Sequence, residues 1–246
     1  MNRYTVIQEI IKNKNAKSYL EIGVERGEVF FNIQVDFKIG VDPNFLFKLK
    51  KPINEKLILQ DSALFQMTSD AFFSKESEII KNGVDVVFID GLHTYQQVIK
   101  DIKNALSYLN DDGVIIIHDC NPTSEAIGYP VKNSINEVIN LASQGLINGW
   151  NGCWCGDVWK ALLHFRVEYP DLNIFTLDLD WGLGIITRAS ASSAEELKVN
   201  LDKNQIAALD YQYLNDNRND ILNLKSPLYL FDFLSQNNKI NLKAIT

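Results

Sequence analysis

GVDVVFIDGLHTYQQVIKDIKNALSYLNDDGVIIIHDCNP, residues 83–122, reads as strand, helix and strand in succession. The run VDVVFI is apolar and β-branched, and it closes on Asp90. TYQQVIKDIKNALSYLN (94–110) then sets Val98, Ile102, Ala105, Leu106 and Leu109 on one helical face, with Asp112-Gly113 marking a helix end or turn. GVIIIH follows and closes on Asp119. A helix joining two such runs is the crossover that neighbouring parallel strands require.

The same grammar extends backwards. SYL closes on Glu21, KIGV on Asp42 and KLILQ on Asp61, so five carboxylates stand 21, 19, 29 and 29 residues apart. These spacings are too long for hairpins. In an open parallel sheet the carboxyl ends of the strands line the ligand crevice, so each acid is expected there. RYTVIQEIIKN (3–13) has the period of an amphipathic helix ahead of the sheet.

Beyond Asp119 the rhythm breaks. Residues 120–156 hold Pro122, Pro130, five glycines and a helix-like VKNSINEVINLAS, and read as an insertion over the strand ends, where loops carry substrate contacts. A helix, DVWKALLHFRVEY, ends at Pro170. NIFTLDL and LGIITR are then joined only through Asp180-Trp181-Gly182, a link so short that the two strands must be antiparallel. Residues 193–235 read as mainly helical, opened by a Ser193–Glu196 capping box. The whole is expected to be one domain over 1–246, with a core at about 17–190 and a helical extension at 191–246.

Composition narrows the classes. A chain of 246 residues with 46% apolar content can bury a full core. A net charge of −7 argues against nucleic acid as a main partner. Lys48, Lys50 and Lys51 form the one short basic cluster and read as a solvated loop. Cys120, Cys153 and Cys155 form no disulfide framework and match no zinc spacing. With no leader and no apolar run long enough to span a bilayer, the chain is expected to be cytoplasmic and free of membrane.

The loop YLEIGVERGEVF (19–30) selects the ligand. Gly23 and Gly27 permit tight turning and close approach, and a helix is expected to follow. A pyrophosphate there would face Glu25 and Glu28 at a cost of several kcal/mol, by an order-of-magnitude Coulomb estimate. A cationic ligand meets no such opposition. The third glycine of the dinucleotide fingerprint is absent, while Asp42 suits ribose hydroxyls in either case.

EIGVERG (21–27), VDP (41–43), QDSA (60–63) and the terminal hairpin together resemble the class I S-adenosylmethionine-dependent methyltransferases, over roughly residues 17–190. VFIDGLHTYQQVIKDI, GVIIIHDCNP and GDVWKALLHFR look most like a small-molecule O-methyltransferase group, some of whose members methylate sugars and others catechol-type phenols. The resemblance implies a Rossmann-like α/β fold: a doubly wound, mostly parallel seven-stranded sheet, helices on both faces, and a terminal antiparallel hairpin. It implies cofactor contacts at Glu21, Gly23, Val24, Gly27, Asp42, Pro43, Asp61, Ser62, Ala63, Asp90 and Gly91. Relatives that use a divalent cation such as Mg2+ bind it through carboxylates matching Asp90 and Asp119 and an oxygen on the next residue. That residue is Cys120 here, a poor magnesium ligand, which leaves Asn121 as the oxygen donor.

Methyl transfer to a hydroxyl needs an aligned acceptor and a place for its proton. His93, three residues past Asp90, is the expected base, with Asp119 as its partner or the acceptor's. His118 is expected to point away from the site and pack, and His164 to be structural. Of four tryptophans, Trp154 is the one expected to line a pocket. The leading expectation is a methyltransferase acting on a small-molecule hydroxyl, such as a sugar's. An NAD(P)-dependent oxidoreductase and a non-catalytic protein on the same fold are the rivals, and a homo-oligomer stays open.

Overall fold

The computed structural model describes residues 1–48, 55–131, 135–188, 197 and 201–235. The Ser193–Glu196 capping box and the lysines at 50 and 51 lie outside them. Among the described residues one sheet has the order β3-β4-β2-β1-β5-β6-β8-β7-β9. The strands are β1 Ser18–Ile22, β2 Phe37–Val41, β3 Lys56–Ile58, β4 Ser62–Phe65, β5 Val84–Ile89, β6 Leu109–Ile117, β7 Leu172–Leu177, β8 Leu183–Arg188 and β9 Leu224–Lys225. β4, β2, β1, β5 and β6 run parallel, and β8 lies antiparallel between β6 and β7. Six of the expected strands are present with their closing hairpin, and the parallel strand expected at KLILQ is instead β4, over SALF. β3 and β9 are two short additions at the edges.

Alternation along the strands feeds two cores. Leu20, Ile22, Val87 and Ile89 pack on α2 (Ser69–Lys75), α3 (Tyr95–Tyr108) and α5 (Trp159–Glu168). Tyr19, Val86 and Phe88 pack on α1 (Arg3–Lys14) and on helical residues 229–235. Helices thus cover both faces, as a doubly wound sheet requires. α6 (Lys203–Ala208) and α7 (Tyr211–Leu222) join the first layer. Among the described residues no helix is long and apolar enough to cross a membrane.

Three local expectations are corrected. KLILQ does not end at the crevice: β3 is antiparallel to β4, so Asp61 sits in their connecting turn, and its carbonyl accepts from Lys38 at the start of β2. Asp112-Gly113 does not end the helix. α3 stops at Tyr108 and the chain enters β6 at once, with 110–113 bulged in register against β5. After Gly27 there is only about one helical turn, through Phe31 N–H to Gly27 C=O and Ile33 N–H to Val29 C=O. The insertion, by contrast, contains α4 (Ile135–Ser143) and a small core of its own, Ala126, Val138 and Ile147 with Trp150 and Trp154 against it.

Candidate active site

The carboxyl ends of β1, β2, β5 and β6 open on a cavity of about 890 Å3. That is near the top of the roughly 300–1,000 Å3 usual for small-molecule pockets, enough for a donor and an acceptor together. Glu21, Gly23, Val24, Asp42, Pro43, Asp90, Gly91, His93 and Asp119 all line it, as the spacing of the strand ends implies. Gly27, Asp61, Ser62, Ala63 and Asn121 do not. Asp61, Ser62 and Ala63 belong to the amino end of β4, at the far edge of the sheet. The carboxyl end of β4 brings Thr68, Ser69 and Asp70 to the wall instead, with Gln97 and Asp101 from α3.

One half of the cavity is built around Glu21 and Asp42. Glu21 is almost fully buried and accepts a 2.6 Å hydrogen bond from the Tyr19 hydroxyl, itself buried. Burial pushes the Glu21 carboxyl up to about 8; Asp90 adds to this, while Tyr19 and Lys38 oppose it. Each oxygen of Asp42 is fixed by a backbone amide, Glu25 N–H at 2.8 Å and Asn44 N–H at 2.7 Å. Gly23 has φ of +90°, and a Cβ there would lie 1.9 Å from the Asp90 carbonyl oxygen. The β1 and β5 loops therefore close on each other only because that position is glycine.

The other half is a cluster of carboxylates and imidazoles. His93 has Nε2 at 3.2 Å from Asp90 and Nδ1 at 3.1 Å from Asp119 and 3.0 Å from the Trp154 carbonyl. Its ring stacks on Trp154, centroids 5.4 Å apart. Burial alone would lower the His93 pKa, but Asp119 and Asp90 override it and hold the ring up to about 9. Asp119 is itself in the left-handed region at φ +62°, the kind of strain that accumulates at functional positions. Its second oxygen accepts from the Cys155 thiol at 3.2 Å.

His118 does not turn away. Asp119 is left-handed, so the chain bends at the strand end and His118 Nδ1 lies 3.2 Å from both Asp90 and Asp119. Burial disfavours its cation, yet Asp90, with Asp119 and Asp180, pushes it up to about 12. The Arg3 guanidinium, 3.0 Å from Nε2, is the contact that favours the neutral ring. The same pair of imidazoles takes Asp90 in the opposite direction: burial would raise it, but His118 and His93 hold it well below the usual carboxylate range.

Asp90, His93 and Asp119 each offer a ligand atom, all within 4.8 Å of one another. Asn121 is not among them. Its amide is committed to Asp178 and its carbonyl oxygen to Arg218, which removes it as the third ligand. Cys120 is no substitute either, since its thiol turns back to the Ile117 and His118 carbonyls and burial pushes it up. Sequence reading missed Arg3, His118 and the Ser69–Asp70–Gln97–Asp101 group. A visible signal for the last was MTSD after the apolar SALF, a strand end followed by a helix cap. Trp154 lines the cavity as expected, and His164 is structural, hydrogen-bonded to the Tyr95 hydroxyl.

Residues 20–120 match the family model of a methyltransferase domain. An uncharacterized protein of Acanthamoeba polyphaga mimivirus is 27% identical over 116 residues, 43% of this chain. The chain spans about half the length of that relative, 52%. Among solved structures, a candidate caffeoyl-CoA O-methyltransferase from Staphylococcus aureus aligns at 15% identity and TM-score 0.49, covering 77% of this chain and 85% of that one. An S-adenosylhomocysteine-bound methyltransferase from Podospora anserina aligns at 13% and 0.47, covering 76% and 78%. The matched segment carries the strand ends that supply Glu21, Asp42, Asp90, His93 and Asp119.

Proposed function

We propose that the chain transfers a methyl group from S-adenosylmethionine to a hydroxyl of a small molecule, such as a sugar. The observation that carries this is the division of one cavity into an acid-lined half without imidazoles and a half built on Asp90, His93, His118 and Asp119. S-adenosylmethionine fits the first half on two counts. Gly23 lets the β1 and β5 loops close together so that both line the cavity, and the nearly dry Glu21 carboxyl gains a counter-charge from a cation. Glu21, Gly23, Val24 and Asp42 would hold it. When bound it supplies an electrophilic methyl on a sulfonium. The chain's own part is to orient the acceptor under Trp154, exclude water and receive the hydroxyl proton at the His93–Asp119 pair in its neutral-imidazole form, so that turnover rises with pH towards about 9.

Calorimetry tests the reading. S-adenosylmethionine and S-adenosylhomocysteine should both bind, and in buffers of different ionisation heat at pH 7 binding should release a proton. The sign follows from Glu21. Its carboxyl is raised to about 8 and so is mostly protonated at pH 7; a cation beside it favours the carboxylate, and the proton leaves. The release should fade above pH ~9, where Glu21 is already ionised in the free protein. No binding of either compound at millimolar concentration, or capture of NADH instead, removes the reading.

The Asp90–His93–Asp119 set also suits a divalent cation, which would act as a Lewis acid on the acceptor oxygen. Two carboxylates and an imidazole favour a first-row ion such as Mn2+ over Mg2+, which prefers oxygen alone. Titration should find one Mn2+ per chain, absent in Asp119→Asn, and EDTA should abolish a turnover that Mn2+ restores. Turnover indifferent to both reagents excludes the cation.

A further inference from the structure

We propose that Arg3, at the first position of α1, is a positioning residue that clamps the β7–β8 turn so that Trp181 forms a wall of the acceptor half; this rests on the methyl-transfer reading above. The turn is conformationally expensive. Asp180 and Trp181 are consecutive non-glycine residues at φ +49° and +64°, followed by Gly182 at +87°. Such conformations persist only where the surroundings impose them.

Two sets of contacts do so here. From the β6 side, Cys120 N–H donates to the Gly182 carbonyl at 3.1 Å and Asn121 N–H to the Trp181 carbonyl at 2.7 Å. From the α1 side, the shortest contacts to the Asp180 carboxylate come from Arg3. Its backbone N–H donates at 2.8 Å and its guanidinium Nη1 at 3.3 Å. The backbone N–H is one of the donors that a helix start leaves without an intrahelical acceptor, so Asp180 serves α1 as an anionic cap.

The same Nη1 lies 3.0 Å from His118 Nε2, on the ring whose other nitrogen faces Asp90 and Asp119. Arg3, His118 and Trp181 all line the cavity. One guanidinium nitrogen therefore holds the Asp180 carboxylate of the turn while lying against a ring of the reacting cluster.

The test is Arg3→Ala in the full chain, read in three ways. The variant keeps the 2.8 Å backbone contact and removes the guanidinium's contacts to Asp180 and His118; with an acceptor that the wild type methylates, kcat/KM should fall about 10-fold, the effect of losing one hydrogen bond to a charged group. The dissociation constant for S-adenosylhomocysteine should stay within about twofold, and millimolar methylguanidinium should restore part of the rate. Acrylamide quenching of Trp181 fluorescence, taken as the difference from Trp181→Phe, should increase. Where Arg3→Ala does not fold, Arg3→Lys replaces it, with a smaller rate loss and the same rise in quenching expected. Unchanged kcat/KM, unchanged quenching, or an equal loss of S-adenosylhomocysteine affinity overturns the proposal. The quenching reading needs no reaction. A wild-type protein that transfers no methyl to any acceptor therefore sinks the functional reading while the clamp is still decided.

Discussion

Replacing His93 by alanine lowers kcat by about 100- to 10,000-fold, the span of a positioned proton acceptor, and leaves S-adenosylhomocysteine affinity within a few fold. The imidazole bridges Asp90 and Asp119 at 3.2 and 3.1 Å and is covered by Trp154. Without it Asp90 and Asp119 lose the counter-charge of the protonated ring, and above the ring's pKa of about 9 the acceptor's proton loses its destination. Glu21, Gly23 and Asp42 lie in the other half of the cavity and make no hydrogen bond to His93. A rate within threefold of wild type under saturating cofactor would show that the cluster is not where the chemistry occurs.

Gly23→Ala has the largest expected effect on the molecule itself. An alanine at φ +90° costs about 1–2 kcal/mol from its left-handed backbone. Its Cβ, 1.9 Å from the Asp90 carbonyl oxygen, must also push the β1 and β5 loops apart, adding about 1–3 kcal/mol of overpacking. Tm should drop by roughly 5–20 °C. The two loops carry opposite halves of the cavity, so turnover should fall about 100-fold or more through misalignment. Gly91→Ala is the control, because its Cβ would meet an Ile22 methyl at 3.4 Å and the Ile22 carbonyl oxygen at 3.9 Å, both ordinary contacts. Its Tm should stay near wild type. Equal Tm values for the two variants would refute the account of the loop closure.

Four of the five parallel strands and their terminal acids were legible because each depends on local pattern: a β-branched run, then a carboxylate, then helical spacing. Asp61 was misread for a physical reason. KLILQ has the composition of a strand, but nothing in it encodes direction, and pairing antiparallel to SALF turns its end away from the crevice. His118 escaped because alternation predicts the facing of a side chain only while the backbone stays extended, and Asp119 leaves that region immediately after it. Arg3 escaped for a different reason. Its partner Asp180 is 177 residues away, and only the docking of α1 beside the β7–β8 turn brings them together.

The insertion above the acceptor half has an apolar centre of its own, formed by Ala126, Val138 and Ile147, and it reaches the imidazole cluster through Trp154. Its shape is thus largely uncoupled from the packing of the sheet. Exchanges within that cap can retune which molecules are admitted while the donor site beneath keeps its form, so long as the indole remains seated on its ring.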